Sequence, residues 1–159
     1  MSNNFQQCSH LSIPDEYSKI TNKGEDALSF IFEMQKSIQE NVYNYDFDKI
    51  RGSIKTLKEF IDWNEEAIRD EDREFQAALT GIHTYPNCWK PWKSKHAEAL
   101  NRPFSDLTED ELRELHYEWI DKLHFMFNIA IAINLTPEMI TNYYSAKNEE
   151  NRDRQKRGY

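Results

Sequence analysis

Two pairs of acids and a cationic tail carry the chemistry of this 159-residue chain. Glu71-x-x-Glu74 and Glu118-x-x-Asp121 are each spaced i, i+3, so on a helix both acids of a pair face the same way. Both pairs sit on segments that otherwise read as core. Burying several carboxylates together is unfavourable by several kcal/mol for each isolated ion. Like charges also raise one another's pKa. Divalent cations remove both problems. Four oxygen ligands with no second histidine favour Mg2+, with Mn2+ as a substitute, over zinc. In the tail, Lys147, Asn151 and Arg154 fall at i, i+4 and i+7, one face of a helix. An ammonium, an amide and a guanidinium on one face suit a polyphosphate. Together the two features point to a metal-dependent enzyme of nucleotides. The plain alternative is a helical interaction protein with exposed acids and a docking tail. With 28 Asp and Glu in the chain, an E-x-x-E pair also arises by chance.

The elements that must position these groups read as all-α. Residues 1–24 look irregular, punctuated by Pro14, Asn22 and Gly24. A first helix is expected from about Glu25 to Tyr43, with Leu28, Ile31, Gln35 and Ile38 as its inner stripe and Phe32 and Val42 alongside. A second starts at Ser53 or at the capping box Thr56-x-x-Glu59 and runs to about Thr80, where Gly81 is a natural stop. Glu71 and Glu74 complete the apolar stripe of this helix. Residues 82–107 form a long connection rich in Trp and Pro, a length that usually signals function. A second capping box, Thr108-x-x-Glu111, opens a third helix of about 108–135. Its stretch from Leu123 to Leu135 is nearly all apolar and is expected at the centre of a bundle. Thr136-Pro137 gives an N-cap and an N1 proline for a last helix towards Gln155. The expectation is one domain over residues 1–159, a bundle of four to five helices.

Composition narrows the classes. Charged residues are 30% and hydrophobic ones 38%, as in a soluble globular protein. A net charge of -8 disfavours a nucleic-acid surface. The four Gly and five Pro disfavour a turn-rich β fold. Two cysteines, Cys8 and Cys88, make no disulfide scaffold and suit a reducing cytoplasm. With His10 and His83 they match no standard zinc spacing. No E-x-x-H occurs, so the Glu118-x-x-Asp121-x-x-His124 run lacks the di-iron pattern. The start of the chain has no apolar core of a secretory signal. The run from Phe125 to Leu135 is too short for a membrane span.

Several segments together resemble the all-α nucleoside triphosphate pyrophosphatases, in the group of dimeric dUTPases and dCTP pyrophosphatases of T-even-type phages. They are the ending Tyr144-x-x-Lys147-Asn148-x-x-Asn151-x-x-Arg154-Gln155-x-x-Gly158-Tyr159, the block Glu118-Trp119-Ile120-Asp121-Lys122-Leu123-His124-Phe125 with Asn128, the segment Trp89-Lys90-Pro91-Trp92-Lys93, the pair Met34-Gln35, and Cys8-Ser9-His10-Leu11. Asp72 departs from the pattern, standing where an apolar residue would be more comfortable. The resemblance implies that Glu71, Glu74, Glu118 and Asp121 hold magnesium and that one of the three glutamates activates water. It implies that Lys147 and Arg154 grip phosphates, with Asn151 and Tyr144 near phosphates or sugar, and that Gln35 and Asn128 address the base or deoxyribose. It further implies a homodimer that converts dCTP, and dUTP too, to monophosphate and pyrophosphate in the host cytoplasm. The short chain favours the dCTP branch, and a dedicated dUTPase is the runner-up.

Other side chains have two readings each. Trp89 and Trp92 either stack on the base or anchor the long connection. Lys90 and Lys93 either touch phosphate or are solvated, the commoner state of a loop lysine. His124 reads as a hydrogen-bonded core histidine rather than a ligand.

Overall fold

The structure is a computed structural model and describes residues 11–80 and 90–158. Seven α-helices occur among the described residues, and no strand does. Four are long: α2 (Ala27–Asn41), α4 (Ile54–Leu79), α6 (Glu109–Ala132) and α7 (Pro137–Arg157). Three are short: α1 (Glu16–Asn22), α3 (Phe47–Ile50) and α5 (Ser94–Asn101). A 3-10 turn, Phe104–Asp106, precedes α6.

Caps explain most boundaries. Asp15, Asp26 and Asp46 each accept a backbone N–H at the start of α1, α2 and α3. Ser53 accepts from the Thr56 N–H at 3.1 Å, which puts the start of α4 at Ser53 and leaves Thr56 inside its first turn. The α6 capping box closes reciprocally. The Glu111 N–H donates to Thr108 Oγ1 at 3.2 Å and the Thr108 N–H to Glu111 Oε2 at 2.8 Å. α6 ends where Asn134 takes φ +57°. There the Leu135 N–H reaches the Ala130 carbonyl at 2.9 Å and the Asn134 N–H that of Ile131 at 3.1 Å, a Schellman closure. Thr136 Oγ1 then caps the Met139 N–H, with Pro137 at N1.

The described residues fall into two compact units, with dividing points inside α4 and α6. The first holds Asp15–Phe60 and residues 127–158. Its core is Phe47, Phe60 and Ala132, flanked by Tyr45, Ile50, Leu57 and Ile131. Tyr45 and Phe47 meet the Phe60 ring edge-on at 5.2 and 5.9 Å, a preferred aromatic geometry. Arg51 donates to the Ile131 carbonyl at 3.3 Å. The second unit holds Ile61–Met126 and residues 11–14, with Asn64, Ala77 and Leu115 buried. Here Arg102 forms a two-pronged pair with Glu111, both contacts 2.8 Å, and so ties the connection to the start of α6.

Several expectations need correcting. The segment before Gly24 contains α1, and the long connection contains α5 and the 3-10 turn, because Asp15 and the Ser94–Asn101 run supply local helix signals. On α2 the buried residues are Phe32, Gln35 and Gln39, whereas Ile31, Ile38 and Val42 are exposed. The helix carries apolar residues on two faces, and packing selected the one with Phe32. The apolar stretch of α6 is likewise only partly buried. Asn128, Ala130 and Ala132 are inside, and Met126 and Ile133 are exposed. Gly81, the expected stop of α4, lies outside the described residues, as do Cys8, His10, His83, Cys88 and Trp89.

Phe60 is buried and meets two aromatic rings, those of Tyr45 and Phe47. Phe60→Ala is expected to cost about 3–5 kcal/mol of stability, measured by urea denaturation followed by circular dichroism.

Candidate metal centre

α4 and α6 face each other within the second unit. Trp63 on α4 meets Phe125 on α6 edge-on at 5.9 Å, and Lys122 Nζ reaches Asp72 at 2.6 Å. This pairing turns the two acid pairs towards one another. Oxygen atoms of Glu71, Glu118 and Asp121 all lie within 4.8 Å of one another. Glu74, one turn beyond Glu71, interacts electrostatically with Asp121 and Glu118. Glu118 is 7% exposed, and its Oε2 has no hydrogen-bond partner.

Burial dominates the electrostatics. It pushes Glu118 up to about 7, helped by Glu74, Glu114 and Asp121. It pushes Glu71 up to about 7 as well, with Glu74, Asp121 and Asp70 adding to the rise. Glu74 is raised by burial and then by Asp70 and Asp121. A buried carboxylate oxygen with no donor, among acids that raise one another's pKa, needs either protons or cations. The donor set is all hard oxygen, which fits Mg2+ or Mn2+ and not a soft-ligand metal.

His124 is not the core histidine expected from its helix. It is exposed, with Nδ1 3.5 Å from Asp121 Oδ1, and it shares the acid-bearing face of α6 closely enough to offset part of the rise at Glu71. Two features escaped the sequence reading. Glu114, one turn before Glu118, is buried and adds to the negative field at Glu74 and Glu118. Its i, i+4 spacing to Glu118 was the available signal. Asp72, the apparent misfit, has Lys122 as its partner, a pairing across 50 residues that no local pattern reveals.

The other candidate residues lie in the first unit, apart from the Trp-rich segment. Gln35 on α2 donates from Nε2 to Asn128 Oδ1 at 2.7 Å, and both are buried. These two amides, 93 positions apart, form one polar point in an apolar setting beside the Phe32–Phe127 ring contact. On α7, Lys147 and Asn151 are exposed and Arg154 is half-buried. Arg154 Nε donates to Glu150 Oε1 at 2.8 Å, and Arg157 reaches the same oxygen at 2.9 Å. Tyr144 is exposed. Trp92 and Lys93 are exposed just before α5, and Trp89 lies outside the described residues.

The chain is 31% identical over 169 residues to a dCTP pyrophosphatase of Enterobacteria phage LZ5, covering 98% of each. The chain belongs to the dCTP pyrophosphatase family of T4-type phages. The family's member from Enterobacteria phage T4 is 27% identical over 170 residues, again covering 98% of each chain. A DNA replication protein of phage T4 is 25% identical over 160 residues, which span 91% of this chain and 40% of that protein. No family model and no solved structure matches.

The acid centre gives this family member a distinctive pH response. Glu71 and Glu118 keep their protons up to about 7 when folded, against an ordinary value of 4.5 when unfolded. Between those values the folded chain binds more protons, so its stability falls as pH rises. Without divalent cations, the melting temperature should drop as pH is raised from 4.5 through 7. Glu118→Gln should flatten that drop and raise the melting temperature at pH 7.5, as read by thermal denaturation in a chelator.

Proposed function

We propose that this protein hydrolyses dCTP to dCMP and pyrophosphate in a magnesium-dependent reaction. One observation carries the reading: Glu71, Glu118 and Asp121 bring oxygens within 4.8 Å of one another, and Glu118 Oε2 is buried with no hydrogen-bond partner. Membership of the dCTP pyrophosphatase family supplies the substrate. No single helix among the described residues is long and apolar enough to cross a membrane. The proposed place of work is the nucleotide pool of the host cytoplasm. The role would be to withdraw dCTP from that pool while releasing dCMP.

Glu71, Glu74, Glu118 and Asp121 would hold the magnesium. When bound, it neutralises phosphate oxygens and acidifies water. A glutamate of the centre then takes the proton of the attacking water. The water oxygen bonds to phosphorus, the anhydride bond breaks, and the electron pair leaves with the departing phosphate oxygen. Lys147 and Arg154 would grip the triphosphate, with Asn151 and Tyr144 beside them and Trp92, Lys93 and Trp89 as further contacts. Arg154 must exchange Glu150 for phosphate, a stronger anion for a planar guanidinium.

Gln35 and Asn128 would read the base. A second substrate would be dUTP. An amide presents a donor or an acceptor by rotation, so the pair can meet either the amino group of cytosine or the carbonyl of uracil.

Ile31, Met34, Ile38 and Val42 lie in one exposed line along α2. A stripe of that kind supports a homodimer.

Purified protein with magnesium is expected to release pyrophosphate and monophosphate from dCTP within a panel of nucleotides. Glu118→Gln should lower turnover by about a thousandfold or more while circular dichroism stays unchanged. If no nucleotide is hydrolysed, the helical interaction protein becomes the better reading. Sedimentation should give a dimer for the native chain and a monomer for Ile38→Glu.

A further inference from the structure

The ammonium of Lys122 sits in an unexpected place. Lys122 follows Glu118 by four positions on α6, with the glutamate N-terminal to the lysine, the better orientation for an ion pair along a helix. Glu118 is the most buried of the four proposed ligands, and its Oε2 lacks a hydrogen-bond partner. Local helix physics alone would close that pair. Yet among the described residues Lys122 makes no ion pair with Glu118. Its Nζ instead lies 2.6 Å from Asp72 Oδ1 and 4.8 Å from the centre of the Phe75 ring. Asp72 and Phe75 are one turn apart on α4, so together they form a seat for the ammonium, with a carboxylate on one side and a ring face on the other. Lys122 is 20% exposed in this seat.

We infer that Asp72 is a positioning residue that draws Lys122 off Glu118 and so keeps the acid centre open to divalent cations. The inference rests on the reading of that centre as a magnesium site. Without Asp72, the lysine falls back on the nearest carboxylate along its own helix. It then competes there as an internal cation tethered one turn away. The same residue that disrupts the apolar stripe of α4 thus protects the ligand set.

The test is a magnesium titration of the full chain, followed by calorimetry and by the magnesium-induced rise in melting temperature. Asp72→Asn should weaken magnesium binding about fivefold, the scale of a partly shielded ion pair. Asp72→Glu should retain native affinity. The decisive variant is the double substitution Asp72→Asn with Lys122→Met, which should recover native affinity within about twofold. Lys122→Met alone should bind magnesium like the native chain. If Asp72→Asn binds normally, or if removing Lys122 fails to restore it, Asp72 acts only on the packing of α4 against α6 and the inference is overturned. A native chain that binds no magnesium overturns the functional reading itself, a different and separately visible result.

Discussion

The mutual repulsion of carboxylates in the seam between α4 and α6 governs this molecule. Burial removes the water that would screen Glu71, Glu74 and Glu118, and each charge then raises the cost of the others. Nothing about helix propensity or apolar packing requires those groups to converge. The helices are nevertheless held together around them, by Trp63 on Phe125 and by Lys122 on Asp72. The fold therefore spends stability at this point, a common mark of a functional site.

α6 shows how environment divides one residue type into two roles. Glu111 sits in its first turn, accepts from Arg102 and from Thr108, and is held down at about 2. Glu118, two turns on, is pushed up to about 7 by burial and neighbouring acids. The first fixes the start of the helix and the connection that leads into it. The second is left without a donor. Pushing like groups apart in pKa is how a single scaffold separates structural from reactive carboxyls. The other unit uses neutral polarity in place of charge. Gln35 and Asn128 satisfy one another across a buried contact, which specifies how α2 and the end of α6 meet. α7, by contrast, buries no residue, and its Arg154 and Arg157 share one oxygen of Glu150.

Much of the candidate site was legible in the chain. The i, i+3 acid pairs, the Lys147, Asn151 and Arg154 face, the second capping box and the Thr136-Pro137 start all depend on neighbours within one or two turns. Such features are written in local order, because a helix places near residues in fixed relation. The short helices α1 and α5 were missed because brief runs lack enough apolar periods to stand out. The buried face of α2 was misassigned because both of its faces carry apolar residues, and period alone does not choose between them.

The sequence by itself determined that the chain is helical, where its long helices begin, which side chains share a helical face, and that acids outnumber bases. Those properties follow from backbone geometry and from hydrogen bonds spanning three or four residues. The tertiary structure decided that Glu71 faces Glu118 and Asp121, that Asp72 takes Lys122, and that Gln35 takes Asn128. These pairs are separated by tens of residues, and their interaction exists only where packing removes water and brings the helices within a few ångströms.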